Sequence, residues 1–211
     1  MQPLADRIRP ATLEDYVGQP HLVGADKPLR RAIEQKHIFS FILWGGPGTG
    51  KTTLARIYAH ALDAEFHELS AVSAGKDSIR KIIETPSARQ KVLFLDEIHR
   101  FNKAQQDFLL PYVESGELTL IGATTENPSF EVIAALLSRM RVFVLKEHGP
   151  DEMRQIIERA GIGIDDEARD WLIAMANGDA RQAVTMIENT SQLYERITVD
   201  SLKEAAQSYL R

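Results

Sequence analysis

The stretch Gly45-Gly46-Pro47-Gly48-Thr49-Gly50-Lys51-Thr52 has the spacing G-x-x-x-x-G-K-[ST] and lies between the apolar run Phe41-Ile42-Leu43-Trp44 and a helix-period segment from Thr52 to Leu62. Strand, glycine loop and helix in that order form a phosphate-binding loop. The glycines let the backbone turn with its N–H groups pointing inward, and the helix that follows adds the positive end of its dipole. Gly45, Pro47, Gly48 and Gly50 are set by backbone geometry, whereas Gly46 and Thr49 stand where the pattern accepts any residue. Lys51 is expected to reach the β- and γ-phosphates of ATP, and Thr52, followed by Thr53, to offer a hydroxyl to Mg2+. A glycine-rich turn without a ligand is the bland alternative, and the strand and helix on either side argue against it.

Outward from this loop, short apolar runs alternate with helix-period stretches, the pattern of an α/β fold with a parallel sheet sandwiched by crossover helices. Strands are expected at Phe41 to Trp44, Glu65 to Leu69, Val92 to Leu95, Leu118 to Ala123 and Val142 to Leu145. Helices are expected at Thr52 to Leu62, Lys76 to Glu84, Lys103 to Leu110 and Glu131 to Leu137. Val92-Leu93-Phe94-Leu95 is apolar without alternation, as a central strand covered on both faces requires. It delivers Asp96 and Glu97 to the sheet edge where open α/β folds bind ligands. Asp96 is assigned to Mg2+ and Glu97 to the attacking water, since hydrolysis needs one carboxylate for each task. Standing alone, the pair would read equally well as an acidic start to an exposed turn.

After Lys146 the strand signal stops, and Gly149-Pro150 punctuates the chain. Asp151 to Ala160, Asp165 to Met175, Asp179 to Leu193 and Val199 to Tyr209 carry apolar residues at three- and four-residue spacing, which predicts a small helical bundle. The expected division is residues 1–147 as an α/β nucleotide-binding core and residues 148–211 as a helical lid.

Composition narrows the classes. The 211 residues are 44% hydrophobic and 26% charged, with a net charge of −5. No apolar run approaches the roughly 20 residues that cross a bilayer, so no membrane partner is expected. Met1 to Arg7 lacks a secretory pattern, which makes a cytoplasmic location the default. With no cysteine, disulfides and thiolate chemistry are excluded, and the six histidines show no ligand spacing. An acidic chain has no overall electrostatic grip on nucleic acid, so any DNA contact must be local. Arg30-Arg31 and Lys76 to Lys81 read either as solvated surface or as such contacts, and Arg139 to Arg141 is a third basic group.

Several separate segments carry a family resemblance: Arg7-Ile8-Arg9-Pro10 with Tyr16-Val17-Gly18-Gln19, Leu43-Trp44-Gly45 into the phosphate loop, and Asp96-Glu97-Ile98-His99-Arg100-Phe101-Asn102-Lys103. Ile121 to Phe130, Leu136-Leu137-Ser138-Arg139 and Asn177-Gly178-Asp179-Ala180-Arg181 extend it over nearly the whole chain. The chain resembles the AAA+ ATPases, and among them the replication-associated recombination protein A (MgsA, Werner-helicase-interacting ATPase) family, itself similar to clamp-loader subunits and the RuvB branch-migration motor. The runs around His99 and Asn127 single out that family. The resemblance implies that Arg7, Pro10, Val17 and Gly18 border the adenine. It makes Thr124, or less favourably Thr125, the polar sensor beside the γ-phosphate. Arg139 becomes an arginine finger for a neighbouring subunit's ATP and Arg181 the second sensor on the lid. Without it, Thr124 is a strand-end threonine and either arginine a surface ion pair. His99 reads as a signalling residue or as a hydrogen-bonded structural histidine.

Gly46 replaces the family's usual proline, the segments Thr85 to Lys91 and Ala160 to Asp165 are short, and the chain stops at Arg211. The family's tetramer-forming domain lies beyond that point, which leaves homo-oligomerisation through Arg139 open. The function implied is a Mg2+-dependent, DNA-stimulated ATPase acting at stalled or gapped replication forks, nucleoid-associated if bacterial. Its partners would be single-stranded or forked DNA, single-strand-binding protein and replication or recombination factors. The alternative is an ATP-controlled, clamp-loader-like binding module with little hydrolysis. A phosphotransferase is disfavoured, because no substrate-binding insertion accompanies the loop.

Overall fold

A computed structural model of the chain describes residues 2–208. In chain order its elements are α1 (Leu4–Arg7), α2 (Pro20–Val23), α3 (Pro28–Glu34), β1 (Phe41–Trp44), α4 (Lys51–Ala61), β2 (Glu65–Ser70), α5 (Lys76–Glu84) and β3 (Lys91–Asp96). A 3-10 turn (Ile98–Arg100) precedes α6 (Lys103–Ser115), β4 (Leu118–Thr124), α7 (Pro128–Glu131), α8 (Ala134–Leu137) and β5 (Arg141–Val144). The chain continues through α9 (Pro150–Arg159), α10 (Asp166–Ala176), α11 (Ala180–Leu193) and α12 (Val199–Ser208). Tyr209, the expected end of the last helix, lies outside the described residues.

Two compact bodies result: one holds residues 11–45 and 51–145, the other residues 1–10, 46–50 and 146–211. The larger body is built on a five-stranded sheet in the order β2-β3-β4-β1-β5, with every pairing parallel. Its two faces are apolar because side chains alternate along each strand. Val92 and Phe94 join Phe41, Leu43 and Ile121 under Leu54, Ile57 and Tyr58 of α4. Leu93 and Leu95 join Ile42 and Leu120 on the opposite face, with Ile79, Ile83 and Leu109 from α5 and α6. Helices on both faces oblige the strand between them to be apolar throughout, which is what Val92 to Leu95 displays.

Sequence and structure part company after β4. The expected helix Glu131 to Leu137 is two four-residue helices, α7 and α8, separated by extended backbone at Val132 and Ile133. The cause is Gln106 on α6, 1% exposed. Its amide nitrogen donates to the carbonyls of Phe101 (2.9 Å) and Glu131 (3.0 Å), and its amide oxygen accepts from the Ile133 N–H (2.9 Å). A buried side chain thus takes the backbone groups a continuous helix would have paired internally. α6 itself runs beyond Leu110, through Pro111, from an Asn102–Gln105 capping box to a left-handed Gly116. Pro111 and Asp107, whose carbonyl loses its helical partner, are both exposed, where the loss costs least.

The smaller body packs its helices around Leu4, Met153, Ile157, Leu172, Val184, Ile187 and Leu202. α1 is tied to α11 by the Leu4 N–H, which donates to Glu188 Oε1 at 2.8 Å. Among the described residues no helix is long and apolar enough to cross a membrane.

Replacing Gln106 by Leu keeps its volume and leaves two carbonyls and an N–H unanswered. The variant should lose about 1–3 kcal/mol in urea denaturation, with proteolysis faster at residues 130–134 than elsewhere. Wild-type stability would show that the break is set by the segment's own sequence.

Candidate functional site

Parallel pairing brings the candidate residues to one edge. Trp44 is in register with Thr124, Leu95 with Gly122, and Asp96 with Ser70, so β1, β4 and β3 end together at their carboxyl ends. From β1 the chain must leave between two neighbours. The Gly45 N–H donates to the Thr124 carbonyl at 3.1 Å, and a Cβ on Gly45 would stand 2.7 Å from the Leu145 carbonyl oxygen. No side chain fits there, which is why the loop opens with glycine.

Lys51 begins α4, and its ammonium donates to the Gly45 carbonyl at 2.7 Å, closing the loop on itself. Thr52 and Thr53 lie in the first turn of α4. Asp96 ends β3, and its Oδ1 accepts from the Glu97 N–H at 3.1 Å. Glu97 is left-handed, with φ at 54°. For a non-glycine residue that costs about 1–3 kcal/mol and is found where the surroundings over-determine the backbone. Its carboxylate is 3.8 Å from Arg100.

Thr124 is 1% exposed. Its Oγ1 accepts from the Glu126 N–H (2.9 Å) and lies 3.0 Å from His99 Nδ1 and 3.2 Å from the Glu126 carbonyl. A single hydroxyl proton cannot serve both of the latter, so the tautomer of His99 selects its direction. His99 therefore links the carboxylate segment to the end of β4, a contact that separation in sequence concealed. Thr125 is exposed and not part of this cluster.

Arg139 is engaged with its own chain. Its Nη2 is 2.5 Å from Glu114 on α6, and Nη1 donates to the Ala135 carbonyl and the Ser138 hydroxyl, both at 2.8 Å. Val17 and Gly18 belong to this larger body, Gly18 with φ at 88°.

Arg7, Pro10 and Arg181 belong to the smaller body, Arg7 and Arg181 exposed and Pro10 half-buried. So does the loop segment 46–50, including Gly46, Pro47, Gly48, Thr49 and Gly50. Gly48 and Gly50 take φ of 66° and 92°, and the fully buried Thr49 donates its hydroxyl to the Gly46 carbonyl at 2.9 Å. The Gly48 carbonyl accepts from the Ala180 N–H at 3.3 Å. A Cβ on Gly48 would fall on the Asp179 carboxylate.

A model of the ATPase family associated with various cellular activities (AAA) matches residues 41–148, half of the sequence. The chain belongs to the AAA ATPase family. The replication-associated recombination protein A of Escherichia coli (strain K12) is 47% identical over 210 residues, spanning 92% of this chain and 47% of that protein. ATPase WRNIP1 of Dictyostelium discoideum is 40% identical, over 88% of this chain and 23% of its own length. The chain thus spans about half the length or less of these curated relatives. Among solved structures, the Thermotoga maritima RuvB Holliday junction branch migration motor superposes with a TM-score of 0.78 at 28% identity, over 95% of this chain and 72% of its own. Relatives named for replication and recombination do not favour the clamp-loader alternative.

His148, which sequence spacing did not single out, is buried in the smaller body. Burial holds its imidazole below the usual pKa, against the pull of the Glu152 and Asp179 carboxylates and a hydrogen bond to the Gly48 backbone. As pH falls the unfolded chain therefore takes up this proton first. Stability is intact above about pH 6.5 and declines as pH drops toward the depressed folded value. Urea midpoints from pH 7.5 to 5 should fall less steeply for His148→Phe than for wild type. Equal slopes would assign the acid sensitivity elsewhere.

Proposed function

We propose that the chain is the ATP-binding and ATP-hydrolysing part of a DNA-associated replication and recombination factor. The observation that carries this reading is Gly45, with no room for a Cβ, and Lys51 at the start of α4, at the sheet edge that also presents Asp96, Glu97 and Thr124. The loop amides and Lys51 bind the triphosphate. Thr52 and Asp96 would hold a Mg2+ ion, which usually takes one or two protein oxygens and keeps water and phosphate as its other ligands. Held there, the ion would offset charge on the β- and γ-phosphates.

Glu97 orients or deprotonates the water that attacks the γ-phosphate in line, and Thr124, its hydroxyl direction selected by His99, donates to the phosphate oxygen. Because Arg139 is held by Glu114 in its own chain, its use as a finger requires a neighbouring subunit to draw it across. By the family resemblance Arg181 reads the phosphate from α11, Arg7, Pro10, Val17 and Gly18 border the adenine, and residues 148–211 act as a lid on a core of residues 1–147. The names of the relatives support a role in replication and recombination on DNA; by the family resemblance alone, single-strand-binding protein and recombination factors are partners at stalled or gapped forks, in the cytoplasm or on a nucleoid.

Glu97→Gln should retain ATP and lose about 100-fold or more in turnover, whereas Lys51→Ala should lose ATP binding. Steady-state hydrolysis per chain should rise with protein concentration and with forked DNA, and Arg139→Ala should abolish the concentration dependence. Unaltered turnover in Glu97→Gln would remove Glu97 from this role.

A further inference from the structure

We propose that His148 and Asp179 are positioning residues that set the phosphate loop from behind, through Gly48, without touching the nucleotide. The proposal rests on the ATP-binding reading of the loop. The peptide unit joining Gly48 to Thr49 is planar and trans, so its carbonyl and the Thr49 N–H point in opposite directions. Fixing the carbonyl therefore aims the N–H. That carbonyl is fixed: the Ala180 N–H donates to it at 3.3 Å, and the His148 imidazole hydrogen-bonds to the same residue's backbone.

Asp179 occupies the place where a Cβ of Gly48 would stand, and the same carboxylate caps α11 by accepting from the Gln182 N–H at 3.0 Å. His148 is itself enclosed: its side chain is 3% exposed, and its backbone N–H donates to the Gly178 carbonyl at 3.4 Å. Gly178, with φ at 82°, has no space for a Cβ either, since one would lie 2.8 Å from the Glu147 Cβ. Three segments of one body, residues 46–50, 147–149 and 178–180, are thus knitted at a single carbonyl. Loosening that carbonyl weakens nucleotide binding more than the chemical step.

The test compares His148→Phe, His148→Gln, Asp179→Ala and Asp179→Asn. Calorimetry gives affinity for Mg-ATP and Mg-ADP, steady-state kinetics gives KM and kcat, and hydrogen exchange of the nucleotide-free proteins reports on residues 46–50. His148→Phe and Asp179→Ala should raise Kd and KM roughly tenfold, leave kcat within a few-fold, and speed exchange in residues 46–50. His148→Gln, which keeps a donor for Gly48, and Asp179→Asn, which keeps the cap, should recover most of the loss. Wild-type affinity and exchange in both disruptive variants would overturn the proposal, as would a Gln variant no better than Phe. Should His148→Phe fail to fold, the Asp179 pair carries the same comparison. Failure of the wild type to bind ATP would defeat the ATP reading alone. Exchange of residues 46–50 then judges the brace, faster exchange in the variants supporting it and unchanged exchange overturning it.

Discussion

β1 is four residues long and hydrogen-bonded to a parallel neighbour on each side, β4 and β5, so the chain has no lateral way out at its carboxyl end. It leaves through Gly45, with the Thr124 carbonyl on its N–H and the Leu145 carbonyl where a side chain would be. This crowding depends on both neighbours, β4 being paired in turn with β3 while β5 pairs with β1 at the sheet edge. Once the exit is forced, α4 starts within a few residues, at Lys51, beside the ends of β3 and β4. The architecture that buries Phe41, Leu43 and Phe94 therefore also gathers the ends of β1, β3 and β4 at one edge.

Polar side chains pinning backbone recur through the molecule. Gln106 interrupts a helix between Glu131 and Ile133, Lys51 folds onto the Gly45 carbonyl, and Arg139 donates to the Ala135 carbonyl. Each uses a hydrogen bond to fix a segment that apolar packing leaves free. Such bonds contribute modestly to stability when made and leave a larger penalty when one partner is removed. Left-handed Glu97 is the counterpart in backbone conformation, with strain placed where the carboxylate must turn off the strand.

Much of this was legible in the sequence. Apolar runs gave the three inner strands β1, β3 and β4 to within a residue, because a parallel strand covered on both faces must be apolar throughout. The turn from Gly45 to Gly50 was readable since its glycines answer to local geometry. Less legible was whatever depends on a distant partner. The break at Val132 and Ile133 comes from Gln106, some 26 residues away in the chain. The continuation of α6 past Pro111 depends on the lost hydrogen bond facing water. The short helices α1, α2 and α3 carry too few turns to show a period. His148 and Asp179 carry no spacing signal, since what distinguishes them is contact with Gly48. The family resemblance named Arg181 within Gly178-Asp179-Ala180-Arg181, and the structure adds that Asp179 in the same turn has a task of its own.

The central claim is that the edge formed by the ends of β1, β3 and β4 binds the triphosphate. A crystal structure of the chain with Mg2+ and a non-hydrolysable ATP analogue tests it directly. The account predicts the β- and γ-phosphates on the amides of residues 46–52 with Lys51 released from the Gly45 carbonyl, and the metal on Thr52 and Asp96. Nucleotide seated elsewhere, or Lys51 still bonded to Gly45 at saturating analogue, would contradict it.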